Sequence, residues 1–291
     1  MTQEEILEKL TMDIRLRGLS EDTVKEYCTR SGVFMRHFGK PADEMGEKEI
    51  RIFLEYLTNK GDLMPASING YNSALRFLFE VTLEQNLNYK RLPRKKDPIK
   101  VPTAFTRDEI VAFLSVIDNI KYKAIFSLTY GSGLRLSEVR KLRIKDIDSE
   151  NMRLFVYQGK GQRDRWVPMA KASLEVLRRY FKEYQPSHPD GWLFLNNNLR
   201  KKVADNYISE RAVQDAFKKY HKKAKIKTYG TIHTLRHSYA THLMEDGVNV
   251  FFIQRILGHA RITLYSLALL NCNPPIYTIF INNGCTTPTP R

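Results

Sequence analysis

His233-Thr234-Leu235-Arg236-His237-Ser238-Tyr239-Ala240-Thr241-His242-Leu243 is the stretch on which the reading of this chain turns, together with Leu257-Gly258-His259 downstream. It is short of acidic residues and concentrates imidazoles around one guanidinium. An arginine offers a planar fork of donors that matches two phosphate oxygens at once, and a histidine moves a proton near neutral pH. His233 and Arg236 are three residues apart, so on a helix they share a face, whereas His237 falls elsewhere and suits packing or a backbone bond. The three histidines do not read as a zinc set, because no cysteine or acidic ligand joins them at metal spacing and Arg236 would repel the cation. Gly258 is placed to end a helix and turn the chain into His259.

Two upstream motifs supply further cations. Tyr130-Gly131-Ser132-Gly133-Leu134-Arg135-Leu136-Ser137-Glu138 brings Arg135 to a Gly-permitted bend before a helix, where it can point into a cleft. The bland alternative is a surface arginine paired with Glu138. Leu154-Phe155-Val156-Tyr157 and Trp166-Val167-Pro168-Met169 read as two short strands. Between them Gly159-Lys160-Gly161 would set Lys160 at the tip of a hairpin, as a donor to a departing alkoxide or simply as a solvated lysine. Two arginines, one lysine and two histidines are a kit for opening a phosphodiester without a metal; neither a metal nor a cofactor is expected.

Composition agrees with a polyanionic partner. The 291 residues carry 47 basic against 32 acidic side chains, a formal charge of +15, with 42% hydrophobic residues for real cores. Such an excess favours nucleic acid; a basic surface serving solubility alone is the plainer alternative. Cys28, Cys272 and Cys285 are too few and too scattered for a disulfide framework, which fits a reducing cytoplasm. No apolar run is long enough for a membrane span, and Met1-Thr2-Gln3-Glu4-Glu5 lacks the pattern of a signal peptide.

Along the first part, Ile6, Leu10 and Ile14 recur at helical spacing, Ser20 caps a second helix, Glu47–Leu57 makes a third, and Ser67 is a candidate cap for a fourth with Ile68, Tyr71, Leu75, Leu78 and Phe79 along one stripe. A bundle of four or five helices follows. The run from Lys90 to Pro102, with three prolines among six basic residues, reads as an extended basic linker, and Arg94, Lys95, Lys96 and Lys100 are candidate contacts to a DNA backbone. Lys218, Lys219, Lys222, Lys223, Lys225 and Lys227 are either further contacts or a solvated helix face. Thr106 and Glu109 form a capping box, with Phe105 stapled to Ile110.

The ordered series GLRLSE, GKG, HTLRHSYATHL and LGH resembles the tyrosine recombinases: phage integrases, Xer-like recombinases and integron integrases. The resemblance runs to about Thr263. It implies a mainly α fold with a small antiparallel β hairpin or sheet in the catalytic domain, arranged as a two-domain, C-shaped DNA clamp. The implied domains are a helical, SAM-like core-binding domain (1–90), a basic linker (91–102), a catalytic domain (103–263) and a divergent tail (264–291). It further implies site-specific cleavage and rejoining of double-stranded DNA through a 3′-phosphotyrosine by a homo-oligomer, a tetramer in the family. Arg135 and Arg236 would grip the scissile phosphate, Lys160 protonate the 5′ oxygen, His233 assist proton transfer from the nucleophile and His259 donate to a non-bridging oxygen. Glu138 would shape the site from behind.

The chain departs from the pattern at the nucleophile. The family carries its tyrosine nine residues after the histidine of LGH, and Ala268 stands there. Tyr265 is the nearest substitute, three residues early, which on a helix is about 4.5 Å of rise; a misplacement of about 1 Å can cost on the order of a hundredfold in rate. From Leu264 to Pro290 no residue is charged, in a chain 27% charged overall, and Pro274, Pro275, Pro288 and Pro290 exclude one long terminal helix. The change reads as a different reading frame or a junction with foreign sequence. The expectation is DNA binding with cleavage weak or absent, the alternative being a non-catalytic protein that occupies recombination sites. A type IB topoisomerase uses similar chemistry, but the helical N-terminal part and the wording of HTLRHSYATHL and LGH argue against it.

Overall fold

The computed structural model describes residues 1–96, 103–159, 163–187, 190–196 and 207–258. The chain divides into two compact units, Met1–Lys100 and Val101–Arg291. The described residues are mainly helical, with one three-stranded antiparallel sheet.

The first unit is a helical bundle: α1 (Gln3–Leu16), α2 (Glu21–Phe38), α3 (Glu47–Asn59) and α4 (Pro65–Phe77), with a short 3-10 turn at Ala42–Glu44 and a π turn at Leu78–Thr82. Ile6, Leu10 and Ile14 are buried at the predicted spacing, and Ser20 accepts from the Thr23 N–H as the cap of α2. The rings of Phe53 and Phe79 approach Phe34 edge-on at 5.3 and 5.8 Å, the geometry that ring quadrupoles favour. One expected boundary is wrong. Helix α4 begins at Pro65 rather than after Ser67, with proline in its first turn, where the missing N–H costs no helix bond.

The second unit contains α5 (Arg107–Ser115), α6 (Ile120–Gly131), α7 (Leu136–Arg140), strands β1 (Ile147–Asp148), β2 (Arg153–Gly159) and β3 (Arg163–Pro168), then α8 (Lys171–Tyr184), α9 (Glu210–Lys223), α10 (Ile232–Glu245) and α11 (Val250–Leu257). The Thr106–Glu109 capping box starts α5 as expected. Helix α6 is apolar nearly all round, with Ala124, Ile125, Phe126 and Leu128 fully buried, so it becomes the central helix against α8 and α10. The strands pair in the order β1-β2-β3. Leu154 faces Val167 and Val156 faces Arg165 across β2 and β3. Leu154, Val156 and Val167 are buried, while Trp166 is exposed.

Candidate phosphate site and basic strap

Three loops and helix ends converge on the Glu138 carboxylate. Glu138 lies in the first turn of α7, where a carboxylate complements the helix dipole and accepts the Arg135 backbone N–H at 2.8 Å. Its Oε1 also accepts from Arg135 Nη1 at 2.7 Å. Arg165, reaching in from β3, donates with both terminal nitrogens, at 3.0 Å to Oε1 and 2.8 Å to Oε2. Arg236 of α10 brings Nη1 to 3.7 Å from Oε2. The Glu138 side chain is only 4% exposed. Burial opposes its ionisation, yet the bonds and charge of Arg165 and Arg135 hold the carboxyl below its usual range.

The same guanidiniums close the end of α11. Arg165 Nε donates to the Ile256 carbonyl at 2.6 Å, Arg236 Nη2 to that of Leu257 at 2.5 Å, and Arg135 Nη2 to that of Gly258 at 2.9 Å. A helix C-terminus leaves carbonyls without intrahelical donors and carries partial negative charge, so cations are its natural partners. Gly258 ends α11 in the left-handed region, φ 64°, as the sequence predicts. A Cβ there would also press on the Arg165 guanidinium at 3.2 Å. Gly133, φ 64°, accepts from Arg236 Nη1 at 2.6 Å, and a Cβ on it would stand 2.6 Å from both Leu257 and Tyr239.

The Arg135–Glu138 pair therefore exists, but as a largely buried pair rather than the surface pair of the bland alternative. Arg135, Glu138 and Arg236 are brought together. His233 is exposed at the start of α10, and its pKa is lowered by the surrounding protein and by Arg236 and Arg135. His237 is half-buried, its pKa lowered by burial first and then by His233 and Arg236. His242 is buried with Nδ1 2.9 Å from the Tyr130 hydroxyl, a packing role. Lys160, His259, Tyr265 and Lys100 lie outside the described residues. The sequence reading missed Arg165. The signal was the strand register: Arg165 alternates with exposed Trp166 and shares the inward face with Val167, so its charge has to meet a buried partner.

Within the first unit the basic segment is no loose tether. Leu92 is buried in the bundle core. Asn72 donates to the carbonyls of Leu92 and Pro93 at 3.3 and 3.2 Å, and Arg76 donates to that of Leu92. The Asn69 amide pairs both ways with the Lys95 backbone, at 2.9 Å each, and Arg94 donates to Ser73 Oγ at 2.7 Å. One face of α4 thus straps residues 92–95 down, while Arg94, Lys95 and Lys96 stay exposed. Beside the strap runs a groove of about 420 Å³ lined by Arg51, Arg91, Arg94 and Lys95, with Glu55 its one acid.

Comparison with known proteins agrees with this architecture. The Phage integrase family profile matches residues 103–266, and that of the phage integrase N-terminal SAM-like domain matches 6–89. The chain is 36% identical over 284 residues to a chain named, by inference, integrase/recombinase y4qK of Sinorhizobium fredii, covering 97% of this chain and 87% of that one. It is 33% identical to tyrosine recombinase XerA of Pyrococcus horikoshii, covering 89% and 86%. A solved XerA recombinase aligns at TM-score 0.52 and 26% identity, covering 91% and 93%. A lambda integrase(75-356) dimer bound to a core site aligns at TM-score 0.70 over 97% and 100%, its 19% identity speaking for the fold. With one profile spanning the arginine cluster and another the helical bundle, the chain belongs to the phage integrase family of tyrosine recombinases.

Proposed function

We propose that this chain binds double-stranded DNA and holds one phosphodiester of it on Arg135 and Arg236, in the manner of a site-specific recombinase or integrase. The observation that carries this is the convergence of Arg135, Arg165 and Arg236 on a single buried carboxylate, leaving the cluster with excess positive charge. The solved relatives include recombinases in complex with DNA, such as a Tn1549 transposon integrase with transposon right end DNA. The first unit serves as the core-binding domain and the second as the catalytic domain. Arg94, Lys95, Lys96 and Lys100 contact the DNA backbone, and the chain assembles with copies of itself on its site. Its place of work is the cytoplasm. Among the described residues no helix is long and apolar enough to cross a membrane.

The chemistry follows from charge. When a tyrosine oxygen attacks phosphorus, the equatorial oxygens of the five-coordinate transition state gain negative charge, and fixed guanidinium donors stabilise that state more than the ground state. His233, exposed at the start of α10 with its pKa lowered, takes the proton from the nucleophile. Lys160 protonates the departing 5′ oxygen and His259 donates to a non-bridging oxygen. The bond energy is kept in a 3′-phosphotyrosine that a second DNA end reverses.

Ala268 at the family's tyrosine position favours a second reading, a protein that occupies recombination sites without cutting. A nicked suicide duplex drawn from the DNA flanking the coding region separates the two. The expected result is a gel shift with little or no SDS-stable adduct. An abundant adduct that disappears in Tyr265→Phe would establish cleavage with Tyr265 as nucleophile.

A further inference from the structure

We propose that Arg165 is a positioning residue for phosphate binding: its fork occupies both oxygens of Glu138, so that this carboxylate does not neutralise the two arginines that face the phosphate. The inference rests on the phosphate reading above and adds a residue that reading did not use.

The geometry favours this division of labour. Arg165 makes two short parallel bonds to Glu138, the bidentate arrangement that is strongest between guanidinium and carboxylate. Arg135 makes one side-chain bond to the same carboxylate, and Arg236 stands at 3.7 Å. Arg165 Nε is fixed on the Ile256 carbonyl, so the fork cannot swing away from Glu138 without losing a third bond. The side chain is 10% exposed, set on the inward register of β3, and a Cβ at Gly258 would press on its guanidinium.

The charge count gives the same answer. Among the described residues, three guanidiniums against one carboxylate leave two positive charges, which match the doubly negative equatorial oxygens of a phosphorane. Without Arg165 the count falls to one, and a buried carboxylate deprived of its main partner turns to the nearest remaining cations, Arg135 and Arg236. The loss would therefore be repaired by removing the carboxylate's charge as well, which restores the count to two. A residue that merely braced β3 against α11 would show no such repair.

The test uses the full chain and inorganic phosphate, with affinity read from ³¹P line broadening. Arg165→Met should weaken phosphate binding by about tenfold or more, the size of a lost bond between charged groups. The double variant Glu138→Gln with Arg165→Met should recover to within about threefold of the parent chain. Arg165→Lys, which keeps the charge and loses the fork, should fall between and serves if the methionine variant does not fold. A double variant as weak as Arg165→Met, or an Arg165→Met chain that binds like the parent, overturns the inference alone. An affinity that neither Arg135→Lys nor Arg236→Lys moves overturns the phosphate reading itself, and the inference with it.

Discussion

Glu138 holds the site together because a carboxylate this buried is tolerable only with cations around it. Removing it leaves three guanidiniums facing one another with only backbone carbonyls as partners, and breaking a buried pair costs about 3–5 kcal/mol. Glu138→Ala should therefore lower the melting temperature by several degrees at pH 7. The sign of the pH dependence follows from the shifts. Glu138 is held below the usual carboxylate range, so its contribution is present above about pH 4.3 and is lost as pH falls through the folded value. Burial leads in lowering the pKa of His237 and His242, so the folded state resists their protonation and stability declines as pH drops below about 6.5. Melting temperatures should thus fall between pH 7.5 and 5.5, and a flat profile there would contradict the assignment. Arg135, Glu138 and Arg236 were legible in the sequence because each sits in a motif with a phosphate-binding rationale. Arg165 was not, because an arginine in an alternating strand looks solvated until the register shows which face is the core.

Among the elements, two loops decide whether the arginines are aimed. Gly133 combines a left-handed backbone with a Cβ position already filled by Leu257 and Tyr239. Gly133→Ala should destabilise the second unit by about 1–3 kcal/mol and weaken DNA binding together, since the Gly133 carbonyl also holds Arg236. Melting and gel-shift titration would check both. In the first unit, the proline-rich composition of residues 90–102 announced an extended segment and concealed its attachment. The attachment depends on Asn69 and Asn72, amides on a helix face with no local signature. Asn69→Ala should raise tryptic cleavage after Arg94, Lys95 and Lys96 while costing only about 1 kcal/mol of stability. Unchanged cleavage would mean that the strap is held elsewhere.

For the whole molecule, the formal charge of +15 predicts DNA affinity that falls steeply with salt. Replacing Lys95 and Lys96 by Gln should reduce the slope of log affinity against log salt by about 2, near 0.9 per phosphate contact; an unaltered slope removes the strap from the interface. Both helical cores and the hairpin were readable from periodicity, because each element buries one stripe or one face. The segment after Thr263 was readable only as a break in composition. The match to y4qK covers 97% of this chain, too large a share to stop at Thr263, so the relative's alignment runs into that segment.

The guanidinium bonds to the end of α11 span long stretches of sequence: Arg135 to Gly258, Arg165 to Ile256 and Arg236 to Leu257. On a ribosome the arginines emerge well before those carbonyls, at a pace of about 5–20 residues per second. Through that interval Arg135, Glu138 and Arg165 can pair with one another, but the end of α11 is not yet there to receive them. The nascent polypeptide therefore completes this cluster of bonds only once the end of α11 has been made.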